Sequence, residues 1–437
     1  MTDLVLRNGR IVRPDSSFVA DVYLREGCIA AIGSNLDVPA GTDQLDASEC
    51  WVGPAFVDLH AHLREPGFEH AETIESGANA AAIGGYGAVV AMPNTEPSLD
   101  SVAVVAYVLD RGATTRIDVA VAGAITMARA GERLAPMAEL AALGVRLFTD
   151  DGTGVQDAAL MRRALEYARP LGVRLAQHCE DAWLAAGGSM NEGAVSSRLG
   201  LTGRPALAEE LMVLRDLELA RATSGRLHLL HLSTARSLAL VAQARREGID
   251  VTFEVAPHHF TLDETACATY DPIMKVHPPL RTTHDVEALR TAMRRGEVDA
   301  VATDHAPHAP EMKDMAFDEA PAGMLGLEHA ASLTFEALGG AQGDPQRFFS
   351  LLSRTPARIA QLRASDVRPR HGAHGGDVVE GESATLVVFD PSARYVVDRE
   401  RLASRSTNTP YHGRTLSGRA RATIVNGRVV AFDGELA

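Results

Sequence analysis

Imidazole and carboxylate side chains recur at five points of the sequence in a pattern that a single metal centre could use. They are Asp58-Leu59-His60-Ala61-His62, Asp150-Asp151-Gly152, His178, His231 and Asp304-His305. Imidazole nitrogen and carboxylate oxygen suit Zn²⁺, which takes both at about 2.0–2.2 Å. His60 and His62 are two residues apart, so on an extended segment both point to the same side of the pleat. A lone histidine is ordinarily a satisfied core or surface residue, and His178 or His231 alone would be read that way. The coincidence of all five points carries the metal reading. A metal so held would lower the pKa of bound water and polarise a bound oxygen group.

The elements that would bring these residues together follow from the pattern between them. Apolar runs rich in β-formers alternate with helical stretches, and eight candidate strands emerge at 56–60, 88–92, 117–122, 145–149, 173–178, 227–232, 251–256 and 298–303. Ala206 to Thr223, with Leu207, Leu211, Leu214 and Leu217 at helical spacing, predicts an amphipathic helix between strands five and six. Eight βα units predict a TIM-type (β/α)8 barrel, an α/β fold in which the C-terminal strand ends converge on one face. All five points lie at such ends.

Both chain ends read differently. Leu4 to Leu6, Arg10 to Val12 and Val19 to Leu24 alternate as short strands with turn signals at Asn8-Gly9 and Glu26-Gly27. Ala384 to Asp390 and Arg421 to Phe432, the latter broken by Asn426-Gly427, do the same. The expectation is a small β-sandwich assembled from residues 1–54 and 370–437 around a barrel of residues 55–369. Arg363 to Gly381 would be a surface linker, with His371 and His374 as solvated loop residues.

Composition narrows the partners. Among 437 residues there are 42 Lys plus Arg against 57 Asp plus Glu, a formal net charge of -15. Phosphate affinity comes from clustered cations, so nucleic acid and acidic membrane surfaces are excluded as partners and a small-molecule substrate is expected. No apolar run approaches the roughly 20 residues that span a bilayer. Cys28, Cys50, Cys179 and Cys267 lack CxxC spacing and MTDLVLRNGR carries no apolar signal core, which predicts a cytoplasmic protein. Only two of the cations are lysines, Lys275 and Lys313.

DLHAHLREPG at Asp58 to Gly67, MPNT at Met92 to Thr95, DDG at Asp150 to Gly152 and DHAPH at Asp304 to His308 resemble the metal-dependent amidohydrolase superfamily, and within it the class I dihydroorotases. The resemblance runs through the barrel and into the β-unit. It implies reversible ring closure of N-carbamoyl-L-aspartate to (S)-dihydroorotate in pyrimidine synthesis, with one or two Zn²⁺ ions. It also implies that His60, His62 and Asp304 hold one ion, that His178 and His231 hold the other, and that Asp304 is the catalytic acid and base. Many relatives bridge their ions with a carboxylated lysine from strand four. Here the lysines lie beyond strands seven and eight, so Asp151 is expected to bridge.

For the unreactive substrate carboxylate the resemblance implies Arg64, a planar bidentate fork, with Asn94, His308 and backbone groups around Ala322 and Gly323; His62 would face substrate as well as metal. The alternative for Arg64 is an ion pair with Glu65 or Glu69. In MKVHPPLR, His277 stands where relatives usually carry asparagine, and an imidazole presents its donor and acceptor on opposite sides of the ring. Ala322 also departs from the family, where an aromatic is common. His258 and His259 would make hydrogen bonds to the ligands or pack in the core. The loop from Met312 to Gly323 has a composition that would permit movement. Relatives further suggest a homo-oligomer and association with aspartate transcarbamoylase. The competing expectations are another cyclic amidohydrolase, an allantoinase or hydantoinase, and a non-catalytic scaffold for that transcarbamoylase.

Overall fold

Alternating apolar residues at the N-terminus build β1 (Leu4–Val12), β2 (Ser17–Arg25), β3 (Cys28–Gly33), β4 (Asp43–Asp46) and β5 (Trp51–Pro54) in a computed structural model that describes residues 3–363 and 372–437. Asn8-Gly9 is not a turn. β1 continues through it, and the register against β2 shifts between Leu6 and Gly9, which marks a β-bulge. Asn8 takes a left-handed φ of 58°, and a Cβ on Gly9 would lie 2.6 Å from Val52 Cγ2, so the pair serves a kink and a close approach. Glu26-Gly27 does turn the chain between β2 and β3.

The barrel strands are β6 (Phe56–Ala61), β7 (Tyr86–Ala91), β8 (Asp118–Gly123), β9 (Leu147–Thr149), β10 (Arg174–Gln177), β11 (Leu227–Leu229), β12 (Val251–Val255) and β13 (Ala300–Val301). All eight expected strands are present, and they pair in parallel in sequence order. Their residues are almost all buried, as a parallel sheet covered on both faces requires. The seam between β13 and β6 is closed by a bridge from Ala61 to His305 and by Thr303, whose N and Oγ1 donate to the Asp58 carboxylate at 2.8 and 2.6 Å.

Each strand is followed by a helix: α1 (Ile74–Gly84), α2 (Val102–Gly112), α3 (Met137–Ala142), α4 (Ala158–Leu171), α5 (Ala206–Thr223), α6 (Ala235–Arg246), α7 (Thr283–Arg295) and α8 (Ala330–Ala337). Helix α5 spans the expected residues but is turned differently. Leu217 is buried, whereas Leu207, Leu211 and Leu214 are 48, 44 and 43% exposed. Its inward face carries Ala208, Met212 and Val213 together with two buried carboxylates. Glu209 accepts from Ser233, Thr234 and Ser237, and Asp216 pairs with Arg215. Hydrogen-bonded carboxylates can occupy a core face, and that displaces the leucine stripe outward.

The C-terminal strands β14 (Leu386–Val396), β15 (Thr415–Val425), β16 (Arg428–Phe432) and β17 (Glu435–Leu436) return to the N-terminal ones. Asn426-Gly427 makes the β15–β16 turn with φ of 48° and 77°. β14 pairs antiparallel with β5, Val388 facing Val52, so both chain ends share one nine-stranded sheet in the order β17-β16-β15-β14-β5-β1-β2-β3, with β4 beside β1. Leu6, Ile11, Val22, Val52, Val388 and Ile424 form its core. His374 is buried, not solvated: its Nε2 lies 2.8 Å from Asp118 Oδ2 at the start of β8. His371 and the expected 369/370 boundary lie outside the described residues. No helix among those residues is long and apolar enough to cross a membrane.

Candidate active site

His60 lies within β6, and His62, Asp151, His178, His231 and Asp304 each sit just past the C-terminal end of a barrel strand. The barrel brings all six together. Asp151 Oδ2 lies 3.4 Å from His60 Nε2 and 3.5 Å from His62 Nε2, while its Oδ1 lies 3.3 Å from His178 Nδ1 and 3.6 Å from His231 Nε2. One carboxylate therefore addresses two pairs of imidazoles. Asp304 Oδ1 faces the first pair, 3.2 Å from His62 Nε2 and 3.6 Å from His60 Nε2. In the second pair, His178 Nδ1 and His231 Nε2 approach to 2.9 Å.

The donor set fits divalent metal on its own evidence. His60 Nε2 and Asp151 Oδ1 are fully buried and have no hydrogen-bond partner, an arrangement that is costly unless something else binds there. Two ligand groups, His60-His62-Asp151 and Asp151-His178-His231, share Asp151. Burial alone would raise Asp151, but the charge of His60 and the imidazoles of His178 and His231 beside it hold it well below the usual carboxylate range. Asp304 is likewise held low against burial, by the His62 hydrogen bond and the charges of His60 and His231. Both present anionic oxygen. His231 (φ 33°) and Asp304 (φ 46°), with Arg64 (φ 62°) nearby, adopt left-handed backbone, a strain that recurs where side chains are aimed at a site.

An outer layer orients these groups. His60 Nδ1 lies 2.8 Å from Glu254 Oε1, and Glu254 Oε2 lies 3.0 Å from His228 Nε2, whose Nδ1 contacts Thr252 Oγ1 at 2.8 Å. Against burial, the two histidines hold Glu254 down at about 2, so it is a carboxylate that accepts from His60 Nδ1 and leaves Nε2 free to ligate. His62 Nδ1 is held by Asn94 Oδ1 at 2.8 Å. His178 Nε2 faces Glu180 Oε2, the oxygen that Arg204 also pairs with. Glu254 and His228 were not singled out from the sequence; a charged residue inside the barrel strand VTFEV was the signal available.

Above the carboxylates opens a cavity of about 220 Å³, lined by His62, Arg64, Asn94, His277, His308, Ala322 and Gly323, and also by Gly152, Val276 and Ala306. Every residue expected to meet substrate is on its wall. Arg64 makes no ion pair with Glu65 or Glu69. Its Nε donates to Pro307 O at 3.0 Å, and Glu65 is taken by Tyr107 and Arg111. Burial lowers Arg64 to about 10, which leaves it a cation at neutral pH. His277 Nε2 is buried without a partner, and burial and the Arg204 charge push the ring down to about 3, so it is neutral.

Some expected contacts are already spent. Asn94 Oδ1 accepts from His62, and His308 Nε2 donates to Ala322 O at 2.8 Å. Gly323 N donates to Lys275 O, and Gly323 O accepts from Asn408 Nδ2. These carbonyls and this amide shape the wall and are not free groups awaiting ligand. His258 Nε2 stops 3.8 Å from Asp304 Oδ2, and His259 Nε2 contacts Pro278 O at 2.9 Å, so His259 braces the backbone beside His277 and binds no ligand residue.

Comparison with known proteins points to one family. A dihydro-orotase-like family model matches residues 51–237. A protein named dihydroorotase from Pelotomaculum thermopropionicum is 44% identical over 433 residues, 98% of this chain and 99% of that one. Another so named, from Mycobacterium leprae, is 45% identical over 415 residues, 94% of each chain. Of solved structures, an L-hydantoinase (dihydropyrimidinase) from Arthrobacter aurescens superposes with a TM-score of 0.88 at 22% identity, covering 100% of this chain and 98% of its own, a likeness of fold. With identity above 40% sustained over nearly the whole of both relatives, the chain belongs to the dihydroorotase family.

Proposed function

We propose that this protein is a dihydroorotase, interconverting N-carbamoyl-L-aspartate and (S)-dihydroorotate for pyrimidine biosynthesis, and that the cavity above Asp151 is where it does so. The observation that carries the reading is the joining of two imidazole pairs through one carboxylate beneath a cavity that also holds Arg64. In the relatives that use a carboxylated lysine the bridge comes from strand four; here Asp151 follows β9, the fourth barrel strand. His60, His62, Asp151 and Asp304 would hold one divalent ion and Asp151, His178 and His231 a second, zinc by the nitrogen and oxygen donor set. Bound there, such ions supply acidified water and a polarised carbonyl.

The chain's own groups do the rest. Asp304, anionic and facing the cavity, takes the proton of the attacking water during ring opening and delivers it to the departing amide nitrogen. In ring closure it removes the ureido proton, as microscopic reversibility requires. Arg64 pairs with the carboxylate that does not react. Neutral His277, with Nε2 unpartnered, offers a hydrogen bond to the ring, and His308, Ala322 and Gly323 exclude water on the far side. Residues 55–369 would carry this chemistry and 1–54 with 370–437 the supporting sheet. The setting we propose is cytoplasmic, with the chain as a homo-oligomer and with aspartate transcarbamoylase as an associated enzyme.

The deciding experiment is an assay of zinc-replete protein in both directions with dihydroorotate and carbamoyl aspartate, beside hydantoin and allantoin. Turnover of the first pair alone is the expected result. Hydrolysis of hydantoin or allantoin without dihydroorotate turnover would replace the reading with another cyclic amidase, and no bound metal with no turnover would leave a scaffold.

A further inference from the structure

Asp150 and Asp151 are neighbours with opposite duties. Asp151 turns its carboxylate to the imidazoles, whereas Asp150 turns its own to the loop between β8 and α3. Ile125 N and Thr126 N donate to its Oδ1 at 2.9 and 3.0 Å, and the Thr126 hydroxyl donates to its Oδ2. The loop is thereby fastened to the ligand segment. From that loop Arg129 reaches back, and its Nη1 donates to Asp151 O at 2.7 Å. Asp150 O is taken by Thr153 N and Gly154 N of the following turn, while among the described residues the donor to Asp151 O is Arg129 alone. Placing the guanidinium there strains the backbone. Ala128 and Arg129 both take a left-handed φ of 53°, which residues with a Cβ seldom adopt. Ala128 N to Asp100 Oδ2 at 2.7 Å and Gly131 N to Thr126 Oγ1 at 3.0 Å hold them in it. Arg129 Nε is buried without a partner, and an ionised donor in such surroundings makes a stronger hydrogen bond than a neutral one. Gly152 lines the cavity and Arg129 does not, although a Cβ on Gly152 would lie 3.8 Å from Arg129 Nη1. Arg129 therefore meets the site through Asp151.

We propose that Arg129 is a positioning residue for Asp151, fixing the peptide that carries the carboxylate shared by the two imidazole pairs. Two contacts run in opposite directions between loop and ligand segment, the Asp150 side chain to loop backbone and the Arg129 side chain to ligand-segment backbone, so neither shifts without the other. A carboxylate that serves both pairs must present two oxygens at once, which tolerates little rotation of its peptide. The His178–His231 group has Asp151 as its carboxylate, whereas the His60–His62 side also meets Asp304. Loss of Arg129 should therefore be felt first at His178 and His231. The inference rests on the metal-binding part of the reading above and deepens it.

Arg129→Met removes the donor at similar side-chain length, and Arg129→Lys keeps a cationic one. In the full chain, zinc affinity read by competition with a chelator should fall about 10–100-fold in Arg129→Met, with Arg129→Lys retaining more of it. The visible absorption of the cobalt-substituted protein, which reports ligand geometry, should change in Arg129→Met. The KM for dihydroorotate should stay near wild type while kcat falls, because Arg129 is off the cavity wall. Far-UV spectra should be unchanged. Zinc affinity and a cobalt spectrum equal to wild type in Arg129→Met overturn the proposal, and so does a raised KM with affinity intact, which would put Arg129 on substrate. A far-UV spectrum altered in both variants overturns it too, leaving Arg129 a structural residue of the loop. Wild-type protein that binds neither zinc nor cobalt removes the metal reading and the proposal with it.

Discussion

Asp151 presents one oxygen to each imidazole pair, whereas Asp304 offers Oδ1 to the first pair and keeps Oδ2 on the side of His258. Their substitutions should therefore separate. Asp304→Asn keeps a ligating oxygen but carries no proton between water and amide, so metal content measured by atomic emission should stay near wild type while kcat falls about 10²–10⁴-fold. Full activity in that variant would remove Asp304 from the proton path. The Glu254 carboxylate bonds His60 and His228 and should act on metal affinity instead. Glu254→Gln weakens the hold on the His60 tautomer, and zinc affinity read by competition with a chelator should drop about 10–100-fold. An unchanged affinity would show that packing alone orients His60. The cluster that could hold a metal was legible in the sequence because a metal needs particular residue types at strand ends. Glu254 was not, because its partners are 194 and 26 residues away and only the closed barrel puts them in contact.

Elements were legible where one force decided them. All eight barrel strands read correctly, since a strand buried on both faces reads as a nearly continuous apolar run. Helix α5 read correctly in extent but not in direction, because periodicity locates a stripe and cannot say whether Glu209 and Asp216 will find partners inside. The loop after β13 was legible only as a loop. Its position is fixed by distant groups: Asn408 Nδ2 donates to Ala306 O and Gly323 O, Lys313 Nζ to Pro272 O and Pro321 O, and Lys275 Nζ to Asp318 O. The two lysines of the chain thus both tie down the cavity wall. Near the start of α8, Glu328 receives Ala403 N and Ser404 N from the C-terminal segment that crosses the barrel mouth. Burial raises Glu328 to about 7 despite those donors. A carboxyl whose folded pKa is raised contributes its stability in full below about pH 4.5 and loses it as pH rises through about 7. Glu328→Gln keeps an acceptor without the charge. In urea unfolding the variant should gain on the wild type from about pH 4.5 to 7, by at most about 3 kcal/mol, and the difference should be flat above. A constant difference across that window would mean the carboxyl is not titrating there.

At the scale of the whole molecule, the sheet from the chain ends is not a separate body leaning on a barrel. Phe348 is 1% exposed and stacks within 4.7–6.4 Å of Trp51 and Phe389 from the sheet, Phe56 from β6, Phe335 from α8 and Phe349 beside it. Trp51, Val387, Phe389 and Leu416 belong to the same continuous core as the barrel's outer strand faces. Gly53 exists for this seam, since a Cβ there would meet the Phe349 ring at 2.4 Å. The sheet has a core of its own on one face, around Leu6, Ile11, Val22 and Val388, but its other face is continuous with the barrel core. Unfolding should therefore be one event despite the chain's length. The two tryptophans make this measurable: with Trp183→Phe, fluorescence reports Trp51 in the seam alone, while catalytic activity reports the barrel mouth. The two should be lost over the same range of urea. Phe348→Ala should lower both midpoints together, at a cost of about 3–5 kcal/mol for the cavity left among five aromatic rings. Loss of Trp51 fluorescence at a urea concentration that leaves activity intact would show that the sheet unfolds on its own, and that the shared aromatic core does not couple it to the site.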